Sequence, residues 1–142
     1  MSPMTADDRR LIRTSFDALR DMASPVALLF YGRLFEVDPS ARRLFHIDLA
    51  VQAQKIMTTL DWVVKSLDEF ESMRPALADL GRQHADYGVR PEQYETVTSS
   101  LMWAFAHALG PDFDAATHSA WKRALSAVSA AMLEGTGRPP RT

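Results

Sequence analysis

His84 is the residue of this chain with the most chemistry to offer. It follows Leu77 and Leu80 at spacings that put all three on one apolar stripe of a helix. A histidine in that place is either a core or boundary side chain with satisfied nitrogens, or a metal ligand. A single histidine falls short of a zinc site, which needs several protein ligands. It is sufficient for haem, whose porphyrin supplies the equatorial nitrogens and leaves only an axial base to the protein. The other histidines are poorer candidates: His46 directly follows Phe45 in a loop, His107 falls off the apolar stripe of its helix, and His118 begins the last helix. No Gly-rich phosphate loop, HExxH, histidine pair at i, i+4 or G-x-S-x-G is present.

Composition narrows the field further. The chain has 142 residues and no cysteine, which excludes disulfides, thiolate zinc sites, iron–sulfur clusters, cysteine nucleophiles and thiolate-ligated haem. Lys and Arg total 16 against 18 Asp and Glu, a net charge of −2 that argues against nucleic acid as the main partner. An apolar share of 46% is that of a globular chain. No apolar run is long enough for a membrane helix, and the acidic start does not resemble a signal peptide, so a cytoplasmic protein without a membrane partner is expected.

The elements that must position these residues read as helices throughout. Thr5-Ala-Asp-Asp8 resembles a capping box ahead of Leu11, Ile12, Phe16 and Leu19. Ser24-Pro25 offers an N-cap and a first-turn proline to a second helix carrying Tyr31. Asp38-Pro39 opens a short segment ending near Phe45, and a long helix is expected from Val51 to Leu67. Pro75 interrupts the pattern before the stripe of Leu77, Leu80 and His84, which Tyr87-Gly88 ends. Pro91 opens a helix with Val97, Leu101, Phe105 and Leu109 inward, and the last helix carries Trp121, Leu125, Val128 and Met132. The expectation is an all-α fold of at least six helices in one domain over 1–142, with frayed ends at 1–4 and 135–142.

Four segments together carry a family resemblance. The segment Leu80-Gly-Arg-Gln-His84-Ala-Asp-Tyr-Gly88-Val-Arg-Pro91-Glu-Gln-Tyr94 resembles the proximal-histidine region of globins, most of all bacterial single-domain haemoglobins and the globin half of flavohaemoglobins. Phe30-Tyr31-Gly-Arg-Leu-Phe35, then Pro39, then Phe45, is similar to that family's second helix, proline turn and haem-stacking phenylalanine. Val51-Gln52-Ala-Gln-Lys55-Ile56-Met57 resembles its distal helix, with Gln52 lying 32 residues before His84.

The resemblance implies a globin fold of six to eight helices around one haem b, with His84 as iron ligand. The second ring nitrogen of His84 should donate to a backbone carbonyl, that of Leu80 being one turn back. Phe45 should stack on the porphyrin, Ile56 and Val89 should line the haem site, and Lys55 should reach a propionate on its apolar stem. Tyr31 and Gln52 should face the gas ligand. A tyrosine hydroxyl among apolar groups costs about 1–3 kcal/mol without a partner, so its presence there points to a donor role. Tyr94 matches a proximal tyrosine that in flavohaemoglobins is joined by a glutamate of the last helix. Here that position is Thr136, with Glu134 two residues away, so the proximal network is expected to be incomplete.

Oxygen, nitric oxide and carbon monoxide are the implied ligands. The implied activity is reversible oxygen binding, with nitric oxide dioxygenation when a separate reductase is supplied. The alternatives are oxygen storage or delivery alone, gas sensing through a partner protein, and a haem-free interaction module on the same fold.

Overall fold

A computed structural model describes residues 4–44 and 48–137. Within them the chain forms six α-helices and three 3₁₀ turns, and no strand: α1 (Ala6–Arg20), α2 (Ala23–Val37), the turn Pro39–Leu44, α3 (Leu49–Lys65), the turn Leu67–Glu69, α4 (Phe70–Asp86), α5 (Pro91–Leu109), the turn Gly110–Asp112, and α6 (Ala115–Glu134). No helix among the described residues is long and apolar enough to cross a membrane.

Local chemistry explains most of the boundaries. The Thr5 hydroxyl accepts the Asp8 N–H at 3.0 Å and the Asp8 carboxylate accepts the Thr5 N–H at 3.0 Å, a reciprocal cap on α1. Asp48 caps α3 through the Ala50 N–H at 2.8 Å, so that helix runs Leu49–Lys65 and not 51–67. Two expectations fail. The start of α2 is Ala23 after Met22, with no side-chain cap, so Ser24 and Pro25 sit inside its first turn. There the N–H that proline lacks is one the helix leaves unpaired anyway. Pro75 lies within α4 and does not interrupt it. The bond it removes would have gone to the carbonyl of Glu71, and both residues are exposed, where the loss of one bond costs least.

Of the segments expected to fray, only Met4 and 135–137 lie among the described residues. Met4 is buried in the core and its carbonyl accepts Arg9 Nη1 at 3.0 Å. Gly135 lies against the backbone of Ala78.

The core is built on aromatic contacts at the base of the bundle. Trp121 lies 4.8 Å from Phe105 and 6.2 Å from Phe16, centroid to centroid, and its indole N–H donates to Ser15 Oγ at 2.8 Å. Arg123 grips Asp8 with two nitrogens, at 2.9 and 2.7 Å, tying α6 to the start of α1. That arginine holds the Asp8 carboxyl down at about 2, with help from the Thr5 N–H and against the cost of burial.

Packing is uneven around the rest. The main contacts are α2 on α5 and α4 on α6, while α3 rests on α1 and α2. Helices that follow one another in the chain usually lie side by side, yet α3, α4 and α5 make few contacts with one another. α4 and α6 meet at their backbones. A β-carbon on Gly81 would overlap the carbonyl of Met132, and one on Gly135 would overlap that of Ala78.

Two outcomes follow from this packing. Gly81→Ala should force α4 off α6 and lower stability by about 1–3 kcal/mol. Gly32→Ala, with open space beside it in α2, should raise stability by about 0.5–1 kcal/mol; chemical unfolding of both variants measures the contrast. Asp8 is depressed, so its stabilising effect is complete above the ordinary carboxylate range and fades as pH falls toward 2. Asp8→Asn should therefore flatten the acid limb of stability between about pH 5 and 2, as read from urea unfolding at stepped pH.

Candidate functional site

The candidate residues sit on the three helices that stand apart. Gln52, Lys55 and Ile56 belong to α3, Leu80 and His84 to α4, and Tyr94 to α5, with Val89 in the link between the last two. Tyr31 comes from α2. Phe45 and its neighbour His46 lie outside the described residues. The half-buried apolar side chains Ile56, Met57, Leu80, Tyr94 and Val97 pack on the core from these same helices. Helices that diverge while keeping partly covered apolar side chains leave room for a large apolar group between them.

His84 is half-buried near the end of α4, two turns beyond the fully buried Leu77. Its Nδ1 lies 2.7 Å from the Leu80 carbonyl. A carbonyl only accepts, so Nδ1 carries a hydrogen, and in the neutral ring Nε2 keeps its lone pair. His107 makes the same contact, Nδ1 to the Trp103 carbonyl at 3.0 Å, but it is exposed and lies tilted against the Trp103 ring, 3.8 Å between centroids. The ring geometry alone is therefore common helical behaviour. The position of His84 on a helix standing clear of α3 and α5 separates the two.

The end of α4 holds His84 from its backbone as well. Gly88 has φ +98°, the Gly88 N–H donates to the Ala85 carbonyl at 3.0 Å, and the Val89 N–H donates to the His84 carbonyl at 2.9 Å. This pair of bonds is a Schellman ending, for which glycine is the fitting residue. Leu80, His84 and Val89 are thus joined by two hydrogen bonds, one at the ring and one at the carbonyl.

Tyr31 is buried to 3% exposure, 5.0 Å from Phe30 and stacked 5.9 Å from Phe35. Burial among these rings pushes its phenol up to about 12, so it stays a protonated donor across ordinary pH. Gln52 and Ile56 are half-buried on α3, and Lys55 is exposed. Tyr94 keeps a buried hydroxyl with no hydrogen-bond partner among the described residues, and burial raises its pKa. Glu134 does not serve it: that carboxylate pairs with Arg74 of α4.

These residues fit a haem group. A histidine ring held by a backbone carbonyl, half-buried apolar side chains on α3, α4 and α5 and a protonated phenol from a fourth helix are the kinds of group an iron porphyrin takes from a protein. Gly81 and Gln93 were not among the sequence candidates. Gly81 was legible as a glycine inside a helix, which signals close backbone approach. Gln93, the third residue of the helix that Pro91 opens, carried only a capping signal.

Comparison with known proteins agrees with this geometry. The sequence profile of the family described as Globin matches residues 28–132. A neuroglobin of Tetraodon nigroviridis is 31% identical over 95% of this chain and 94% of its own length. A neuroglobin of Danio rerio is 28% identical with the same coverage. Among solved structures, an engineered carbene transferase from Rhodothermus marinus, named as a putative nitric oxide dioxygenase, has a TM-score of 0.80 at 28% identity, covering 94% of this chain and 92% of its own. A bacterial globin from Campylobacter jejuni has a TM-score of 0.81 at 21% identity, covering 94% and 96%, a likeness of fold.

The ending of α4 generates a direct test. Gly88→Ala places a β-carbon in the left-handed region at a cost of about 1–2 kcal/mol. Amide exchange at Val89 should quicken in this variant, while exchange in the middle of α5 stays at its original rate.

Proposed function

The chain belongs to the globin family, and from that premise we propose that it binds haem b through His84 Nε2 and uses it to take up oxygen. One observation carries this reading: a histidine whose tautomer is set by the Leu80 carbonyl stands on a helix held away from α3 and α5. Haem, when bound, supplies an iron that takes up small gases reversibly and exchanges electrons with them.

The chain's own residues shape that chemistry. Leu80 keeps the hydrogen on Nδ1, so His84 presents a neutral nitrogen with its lone pair outward. Tyr31 holds a hydroxyl hydrogen in an aromatic pocket, where a donor is worth more than in water. Gln52 adds an amide that donates to the ligand or to Tyr31 but does not ligate iron, unlike a histidine in its place. Around bound haem, Ile56 and Val89 would exclude water and Lys55 would reach a propionate.

The finer activity proposed is nitric oxide dioxygenation in the cytoplasm. Nitric oxide, oxygen and one electron combine to give nitrate, the electron coming from a separate reductase. The name of the Rhodothermus relative supports this use. Oxygen storage or delivery is the second reading, favoured by the pairing of Glu134 with Arg74. That pairing leaves His84 backed by a neutral carbonyl, and Tyr94 without an acid.

Haemin added to the apoprotein should give a Soret band at a one-to-one ratio, and His84→Ala should lose or badly loosen the haem. A wild-type chain showing no Soret band would end the proposal. Tyr31→Phe should release oxygen about tenfold faster, the value of one hydrogen bond; unchanged release removes Tyr31 from the pocket's chemistry. Stopped-flow mixing of the oxygenated protein with nitric oxide distinguishes the two uses. Stoichiometric nitrate, with turnover once reductase is added, supports dioxygenation, and its absence leaves carriage.

A further inference from the structure

The end of α2 and the start of α5 meet at a part-buried polar junction. Gln93, 4% exposed, lies in the first turn of α5. Its Oε1 accepts the Arg90 N–H at 2.8 Å, and its Nε2 donates to Asp38 Oδ2 at 3.1 Å. Asp38 follows α2, where its own N–H donates to the Leu34 carbonyl at 2.8 Å. Its Oδ1 accepts the Ser40 N–H at 3.1 Å and the Ser40 hydroxyl at 2.5 Å, starting the turn Pro39–Leu44.

Every contact in this cluster has a direction. Gln93 turns its oxygen to a donor and its nitrogen to an acceptor, so only one amide orientation satisfies both. Capping α5 needs only the oxygen. The bond from the nitrogen spans 55 residues of chain and adds nothing to the cap. What it adds is a fixed distance between two corners. One is the α4–α5 link, where Arg90 adjoins Val89 and Val89 holds the His84 carbonyl. The other is the turn that leads from α2 toward Phe45.

We propose that Gln93, bolted to Asp38, is a positioning residue that sets the width of the gap in which haem is held. It acts through the Arg90–Val89–His84 backbone. The inference rests on the reading of His84 as the iron ligand.

The directed geometry allows a swap test. Gln93→Glu keeps the acceptor for Arg90 but sets a carboxylate against Asp38. Asp38→Asn keeps an acceptor for Ser40 but turns an amide donor toward the donor of Gln93. When both substitutions are combined, the new amide at position 38 donates to the new carboxylate at position 93. That carboxylate still accepts the Arg90 N–H, and the bolt is rebuilt with its polarity reversed. Loss of haem to an excess acceptor apoprotein should quicken at least about tenfold in each single variant. In the double variant it should return to within about threefold of wild type. The iron–histidine stretching band in ferrous resonance Raman spectra should shift in the singles and recover in the double.

A double variant that loses haem as fast as the worse single overturns the proposal. So do singles that lower the unfolding temperature while leaving haem loss and the iron–histidine band unchanged, because Gln93 is then only a cap. A wild-type chain that takes up no haem overturns the parent reading, and is seen before any variant is made.

Discussion

The close approach of Gly81 to the carbonyl of Met132 decides where the candidate iron ligand stands. Helices normally meet through side chains that interdigitate at about 8–10 Å between axes. Here the α4 and α6 backbones touch, and Gly135 against Ala78 repeats the contact with the roles of the two segments exchanged. The contact draws α4 toward α6 and away from α3, its neighbour in the chain. The divergence of α3, α4 and α5 is therefore the counterpart of one tight pairing. His84 lies one turn beyond Gly81 and inherits its position from it.

Much of the architecture was legible in the residues. The stripe of Leu77, Leu80 and His84, the stop at Gly88 and the start at Pro91 are local signals, and local signals survive packing. The capping of α1 by Thr5 and Asp8 was readable for the same reason. The failures were at Ser24-Pro25 and Pro75, where a residue able to begin or break a helix is tolerated within one. In both places the missing N–H costs little, because the affected group is at a helix end or exposed. Within the ends expected to be loose, the burial of Met4 and the contact of Gly135 with Ala78 join residues far apart in the chain, which no local signal foretells.

The site divides along the same line. The bond between His84 and Leu80 lies within a single helical turn and could be anticipated from spacing. The Gln93–Asp38 bond joins residues 55 positions apart, and nothing in a linear pattern pairs them. Glu134 illustrates the point from the other side. Its place near the last helix's end was visible, but its capture by Arg74 was not. Pairings across the fold are a property of packing, and packing is what the one-dimensional pattern omits.

The aromatic base of Phe16, Phe105 and Trp121, fastened through Ser15, shares no residue with the candidate site between α3, α4 and α5. Such a division frees each half from the other's history. Substitutions that retune gas chemistry at the rim can accumulate without undermining the foundation. A lineage could thus trade one ligand preference for another while inheriting the same scaffold intact.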